Sequence, residues 1–421
     1  MHFLKKVEIK GLWGSRTFGV DLHKDVNIFT GRNGTGKTTL INIISAALRL
    51  NLRELRKIEY ESIKLYFYPK QNNAIPSIEI KKHFIDGGFF IEYCVKQKQS
   101  DINVFIPIYD HRISRFRGVG RKEMQDDITI ARKYIHDTSN TIWLSIDRKS
   151  VYEKRSEGSD DGLSSLDKNI EILEQKFFEY ELDLKNKETL EQIKFQKDFF
   201  LSSINIPKWS AISDSLNKSN LEELKESALV IFSQFGISDD ASKKKIEKFF
   251  GQIESSREAL NASQMTLDHM FSLSTFGNFV SIKSNWNQTQ GKIEGIYSKK
   301  ERFLNVFNKL MHYKKLKSVA GKLSATTESG KELSLSQLSS GERQMFILLA
   351  TPFFSGDDPI IYIADEPELS LHVEWQESLI SNILGINNNV QVLFATHSPD
   401  IVSQYAKNVF DMERVLARGY E

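Results

Sequence analysis

A single cysteine, Cys94, in 421 residues excludes an internal disulfide and a cysteine-built zinc centre, and it fits a chain kept in a reducing cytosol. Cys94 itself reads as a small buried apolar residue. Charge of one sign is also missing. With 57 Lys+Arg against 55 Asp+Glu the net charge is +2, so there is no global polyanion-binding surface, and any nucleic-acid contact has to come from a local patch. No apolar run approaches the roughly 18 residues of a membrane span, and the longest, Met345 to Phe354, reads as core. Met1-His2-Phe3-Leu4-Lys5-Lys6 runs straight into the alternation of Val7 and Ile9 without an apolar leader segment. No secretory signal is therefore expected, and the expected setting is cytoplasmic, with no membrane partner. Zinc-ligand spacings and an H-N-H nuclease context are absent too. What is present is 40% apolar residues, enough for a real core, over a length suited to one large domain or two to three ordinary ones.

The first 40 residues read as two short strands, Val7–Ile9 and Val26–Thr30, then a glycine-rich turn and an apolar helix from Thr38 to about Leu50. Alternation through Ile63, Leu65, Phe67, then Ile78, Ile80, then Phe89, Ile91, Tyr93 predicts antiparallel strands between residues 60 and 110. Asn140 to Ile146 is a further strand, and residues 155–165 read as a solvated linker. From Leu166 the period changes: Leu166, Ile170, Leu173, Phe177, Tyr180 and Leu184 mark the seam of a short coiled coil, which breaks at Lys187 and Glu191. Phe303, Val306, Leu310 and Tyr313 repeat that spacing and are compatible with a returning limb or with an ordinary helical subdomain. Pro359 to Ala364 and Val390 to Ala395 are continuous apolar runs, as suits a parallel sheet covered on both faces.

Gly31-Arg32-Asn33-Gly34-Thr35-Gly36-Lys37-Thr38-Thr39 satisfies the phosphate-loop pattern G-x-x-x-x-G-K-[ST] between a strand and a helix. The glycines allow successive N–H groups to face phosphate oxygens, Lys37 can reach the β- and γ-phosphates, and the Thr38 hydroxyl can bind Mg²⁺. The strand Ile360–Ala364 ends in Asp365-Glu366, with Asp365 suited to hold Mg²⁺ and Glu366 to orient the attacking water. The most discriminating stretch is Leu338-Ser339-Ser340-Gly341-Glu342-Arg343-Gln344, followed by Glu368-Leu369-Ser370-Leu371-His372 and by Ala395-Thr396-His397-Ser398-Pro399.

In that order, these motifs resemble the SMC/RecF/OLD-like ABC ATPases, and in particular the ATPase subunits of the PARIS and Septu anti-phage systems. The resemblance covers roughly residues 1–45 and 330–412. It implies an α/β fold: an ABC-ATPase head, that is, a P-loop NTPase with a mixed sheet and helices, carrying an inserted helical or short coiled-coil arm. The implied division is an N-terminal lobe at 1–160, an insertion at 161–316 and a C-terminal lobe at 317–421. It further implies ATP and Mg²⁺ as cofactors, ATP hydrolysis, and homo-oligomers built from head dimers. In such dimers Ser339, Ser340, Gly341 and Glu342 act on the γ-phosphate bound by the opposite subunit. His397 is then a γ-phosphate contact, and Arg16 a second basic phosphate contact. The Q-loop glutamine has no distinguishing frame among Gln71, Gln99 and Gln125. The stretch after His397 is too short for the Toprim nuclease that OLD proteins carry, so a separately encoded nuclease or toxin is the expected effector, with DNA or a phage protein as trigger. The alternative is a RecF-like clamp on DNA. Two basic stretches, Arg112, Arg115, Arg117, Arg121, Lys122 and Lys309, Lys314, Lys315, Lys317, Lys322, read first as a solvated face or a surface for an acidic partner, with a phosphate backbone as the alternative.

Overall fold

Alternation in the first dozen residues produces β1 (Leu4–Leu12), whose Val7 and Ile9 point into the core while Lys6, Glu8 and Lys10 do not. In this computed structural model the described residues are 1–69, 75–85, 88–96, 101–109, 121–144, 165–218, 220–356 and 358–418. After β1 comes a strand the sequence reading did not expect, β2 (Arg16–Asp21), which pairs antiparallel with it and buries Phe18 and Val20. β3 (Val26–Thr30) leads into α1 (Lys37–Leu48), and a short α2 (Leu52–Lys57) follows. β4 (Ser62–Phe67), β5 (Ser77–Ile85), β6 (Gly88–Lys96) and β7 (Asp101–Tyr109) then form the expected antiparallel run, giving a six-stranded sheet ordered β2-β1-β4-β5-β6-β7.

α3 (Arg121–Thr138) delivers the chain to β8 (Asn140–Leu144), an edge strand of a second sheet. The helical stretch comprises α4 (Ser165–Ser203), α5 (Trp209–Lys218), α6 (Leu221–Gln234), α7 (Asp240–Asn261) and α8 (Leu267–Leu310). A small sheet of β9 (Lys314–Val319), β10 (Lys322–Thr327) and β11 (Glu332–Leu333) precedes α9 (Ser340–Phe353). β12 (Ile360–Asp365), α10 (Val373–Ile386), β13 (Val390–Ala395), α11 (Pro399–Val402), β14 (Val409–Asp411) and α12 (Met412–Arg418) complete the described chain.

The second sheet, β14-β3-β13-β12-β8, is entirely parallel. Every residue of β12 and β13 is buried, which is why those strands read as unbroken apolar runs. Gln391 is the polar exception in β13. Its amide accepts from the Leu4 N–H and donates to the Leu4 and His23 carbonyls, tying the parallel sheet to the antiparallel one.

The chain divides into two compact units, one made of residues 1–178 and 302–421, the other of Glu179–Glu301. In the second unit α4 and α8 run antiparallel: Lys300 pairs with Glu181, the Tyr297 hydroxyl donates to Glu188, and Lys292 pairs with Glu191. The seam breaks at Glu191 because a charged pair replaces the apolar contact there. Among the described residues no helix is long and apolar enough to cross a membrane. The linker at 155–164 lies outside the described residues, as do Gln71 and Gln99.

Candidate functional site

Register fixes the site before any side chain is considered. In the order β3-β13-β12 all strands are parallel, Phe29 lies beside Ala395, and Ala395 beside Asp365. The loops that leave the C-terminal ends of these three strands therefore emerge side by side, at the edge where open parallel sheets bind ligands. They carry Gly31–Lys37, Glu366–Ser370 and Thr396–Ser398.

The phosphate loop curls because Gly31, Gly34 and Gly36 adopt positive φ, with Gly36 at +88° as the N-cap of α1. A side chain at Gly36 would also strike the Trp13 ring, so Trp13 closes over the loop from the β1–β2 turn. The Arg16 guanidinium lies 5.5 Å from the centre of that ring. Arg16 thus reaches the loop's neighbourhood through Trp13, and the sequence motifs gave no sign of that aromatic intermediary. Thr35 Oγ1 donates to the Arg32 carbonyl at 2.8 Å, and Lys37 Nζ donates to the carbonyls of Gly31 and Arg32 at 2.8 and 3.1 Å. Asn33 and Gly34 are exposed at the loop's crest, and Thr39 is half-buried behind it. Burial lowers the pKa of Lys37, against the opposing pull of Glu366, Asp365 and Glu368.

The Thr38 hydroxyl acts on the Asp365 carboxyl and lowers its pKa, which relates the phosphate loop to the end of β12. Asp365 is 6% exposed, and its Oδ1 finds no hydrogen-bond partner among the described residues. Its pKa is pushed up to about 6, chiefly by burial, with Glu366 and Glu368 adding to the rise and the Thr38 hydroxyl and Lys37 opposing it. A buried carboxylate oxygen with no partner, beside a threonine hydroxyl, fits a divalent cation that fills the rest of its shell with phosphate oxygens and water. Among the described residues no group of three or more His, Cys, Asp or Glu is placed to hold a metal ion.

Glu366 follows with φ 44°, a left-handed conformation that a non-glycine residue rarely adopts, and its N–H donates to the Ala395 carbonyl at 2.8 Å. Two residues on, Glu368 does something the sequence reading missed. Its Oε1 accepts from Thr396 Oγ1 at 2.7 Å and from the N–H groups of His397 and Ser398 at 2.8 and 3.2 Å. Glu368 therefore shapes the turn that presents His397, whose side chain is exposed. Glu368 Oε2 is a second buried oxygen without a hydrogen-bond partner among the described residues.

The segment around Ser339 forms the start of α9. Ser339 Oγ accepts from the Glu342 N–H, and the Glu342 carboxylate accepts from the Ser339 N–H, a reciprocal capping box. Glu342 is buried and also holds Lys314 at 2.9 Å. Burial raises its pKa, but Lys314 and the Ser339 N–H outweigh that and leave it below the ordinary value. Glu342 is thus committed to shaping the helix start, whereas Ser339 and Ser340 are exposed. Gly341 is required by a close approach: a Cβ there would sit 2.5 Å from the Ser370 carbonyl oxygen in the turn after β12.

Of the basic stretches, Arg112, Arg115 and Arg117 lie outside the described residues, as do the side chains of Arg121 and Lys122 at the start of α3. Lys315, Lys317 and Lys322 are exposed on β9 and β10, where the register sets them on one face with Ser324 and Thr326.

Comparison with known proteins adds three findings. A family model described as an AAA ATPase domain matches residues 3–402. The chain is 21% identical over 404 residues to the Retron Vc95 probable ATPase of Vibrio cholerae serotype O1 biovar El Tor, covering 90% of this chain and 67% of that protein. Among solved structures it resembles the Smc head domain with an extended coiled coil, bound to the C-terminal domain of ScpA, from Pyrococcus furiosus. The identity is 13% and the TM-score 0.43, covering 96% of this chain and 92% of that one. The Smc head domain with a coiled coil and joint from Pyrococcus yayanosii gives 13% identity and a TM-score of 0.40, covering 96% and 93%.

Proposed function

Because the chain belongs to the AAA ATPase domain family, we propose that it binds and hydrolyses ATP as a nucleotide-driven switch whose heads pair around ATP. We further propose that it serves as the sensor or scaffold subunit of an anti-phage complex controlling a separately encoded nuclease or toxin. The observation that carries the first part is the convergence of Lys37, the Thr38–Asp365 pair and Glu366 at the C-terminal ends of β3 and β12, with Asp365 Oδ1 left without a partner among the described residues. The likeness to a retron ATPase over 90% of the chain supports the second part.

On this reading the loop N–H groups between Gly31 and Thr39 cradle the phosphates, and Lys37 exchanges its two backbone carbonyls for the β- and γ-phosphates. Thr38 and Asp365 would hold Mg²⁺, which when bound would offset the negative charge of the phosphates. Glu366 orients the attacking water and takes its proton. Glu368 fixes the turn that aims His397 at the γ-phosphate. The exposure of Ser339 and Ser340 at the N-terminus of a 14-residue helix supports their use by the nucleotide of a second copy, since first-turn N–H groups have no partner inside their own helix.

Phosphate release and fluorescent-ATP binding test the assignment together. Lys37→Ala is expected to lose binding, and Glu366→Gln to keep binding while turnover falls about 100-fold or more. Wild-type turnover in Lys37→Ala would remove the phosphate-loop reading. A DNA clamp is the second reading, favoured by the lysine face of β9 and β10. It predicts ATP-dependent DNA binding that weakens steeply with salt and is lost when Lys315, Lys317 and Lys322 become glutamate.

A further inference from the structure

A hollow of about 470 Å³ lies wholly within the unit Glu179–Glu301, bounded by the C-terminal end of α4 and by α6, α7 and α8. Each of these four helices contributes at least one ring to its wall: Phe199, Phe232, Phe249 with Phe250, and Phe279. Each also contributes one small residue on the same face: Ser203, Ala228, Ser242 and Thr275. The partners are four residues apart in α4, α6 and α8 and seven apart in α7, spacings that bring side chains to one side of a helix. Protein interiors normally close such gaps to crystal-like density, and here small side chains beside rigid rings keep one open. Its volume falls within the roughly 300–1,000 Å³ of small-molecule sites.

The polar groups lining the hollow narrow the ligand further. Three hydroxyls are already committed. Ser203 Oγ donates to the Phe199 carbonyl, Thr275 Oγ1 to the Phe271 carbonyl, and Ser242 Oγ to Asp239. The nearby carboxylates are engaged as well, Asp239 in capping α7 and Asp240 in pairing with Lys243. Two polar side chains on the lining make no hydrogen bond or ion pair among the described residues: Lys245, exposed at the rim, and Asn278, half-buried. An ammonium donates only, and an amide N–H₂ donates well to an oxyanion, so both suit a carboxylate head, while the rest of the wall suits an aliphatic tail.

We propose that this hollow binds an amphipathic monocarboxylate, an unbranched acyl chain lying against the five rings with its carboxylate at Lys245 and Asn278. The site lies within the helical unit and shares no residue with those assigned to nucleotide chemistry, so such a ligand would regulate the protein without occupying the ATP site.

Isothermal titration of the full chain with dodecanoate, well below its micelle concentration, tests this. One saturable site per chain with a negative heat-capacity change is expected. Lys245→Glu should weaken it at least tenfold, and Ala228→Phe, which fills the hollow, should abolish it with ATPase activity retained as the folding control. Dodecylamine, with the same tail and the opposite charge, should give no saturable binding. Absence of a saturable dodecanoate site overturns the proposal, as does equal binding of dodecylamine or unchanged affinity in Lys245→Glu. If Ala228→Phe fails to fold, the exposed Lys245→Glu substitution and the amine decide the matter alone.

Discussion

Asp365 connects the chemistry of the site to the stability of the fold. Its carboxyl has a folded pKa of about 6 against an ordinary value of 3.8, so between those values the folded chain holds a proton that the unfolded chain has released. Stability therefore falls as pH rises from about 4 to about 6, and the full penalty persists above that. The shift corresponds to an order of 2–3 kcal/mol. Asp365→Asn, which keeps the shape and can still meet Thr38, is expected to raise the melting temperature of the nucleotide-free protein at pH 8. The gain should vanish near pH 4, while Mg²⁺-dependent hydrolysis is lost; a pH series of thermal melts checks the sign. At Gly341 the constraint is steric, since a Cβ would lie 2.5 Å from the Ser370 carbonyl oxygen. Gly341→Ala should cost about 1–3 kcal/mol, read from denaturant midpoints. The phosphate-loop residues were legible in the sequence because they are contiguous. Glu368 was not, because its partners Thr396, His397 and Ser398 lie 28 to 30 residues away and meet it only through the β12–β13 pairing.

Among the elements, α9 joins parts of the chain that are far apart in sequence. Its first turn is the capping box of Ser339 and Glu342, and Arg343 in that turn pairs with Asp167 at the root of α4. Its far end meets a cluster of rings: Phe303 of α8 stacks on Phe353 at 4.6 Å, Phe307 meets Phe346 edge-on at 5.7 Å, and Phe177 of α4 lies against Phe353 at 6.4 Å. The helix that begins with the Ser339 segment is thus fastened to the first turns of α4 and the last turns of α8. Phe303→Ala should destabilise this unit by about 3–5 kcal/mol, measured by thermal unfolding. Ser339→Ala should cost about 1 kcal/mol through the lost cap. The periodicity of Ile170, Leu173, Phe177 and Leu184 was readable, and all four are buried. Their surroundings were not, because Phe177 also packs on Phe353 at the end of α9, far away in the sequence. β2 escaped notice because Gly19 interrupts its short alternation and only pairing with β1 secures it.

For the whole molecule the decisive question is assembly. If Ser339 serves the nucleotide of a second copy while Lys37, Asp365 and Glu366 serve their own, two individually inactive variants should rescue each other. Ser339→Arg is expected to bind ATP without hydrolysing it, and Lys37→Ala to bind none. Freshly mixed heterodimers contain one intact composite site and should recover up to about half of wild-type turnover per dimer, on the statistical argument that two independent sites contribute equally. A covalently linked dimer carrying one intact pair of half-sites separates strict coupling of the two sites from a failure of the trans arrangement. Glu366→Gln with ATP should shift the protein to a larger species in size-exclusion with light scattering, because bound nucleotide that is not consumed holds the interface closed.

The sequence by itself determined the phosphate loop, the acidic end of β12, the Ser339 segment, the change from strand to helix periods and the unbroken apolar strands, because each depends on neighbours a few residues away or on burial that composition reveals. The tertiary structure alone decided which ends of which strands meet, that Trp13 stands between Arg16 and the loop, that Glu342 is spent on the α9 cap and Lys314, and that Glu368 holds the His397 turn. These depend on strand order and register, which join residues hundreds of positions apart, and local pattern carries no information about which of many compatible pairings the packed core selects.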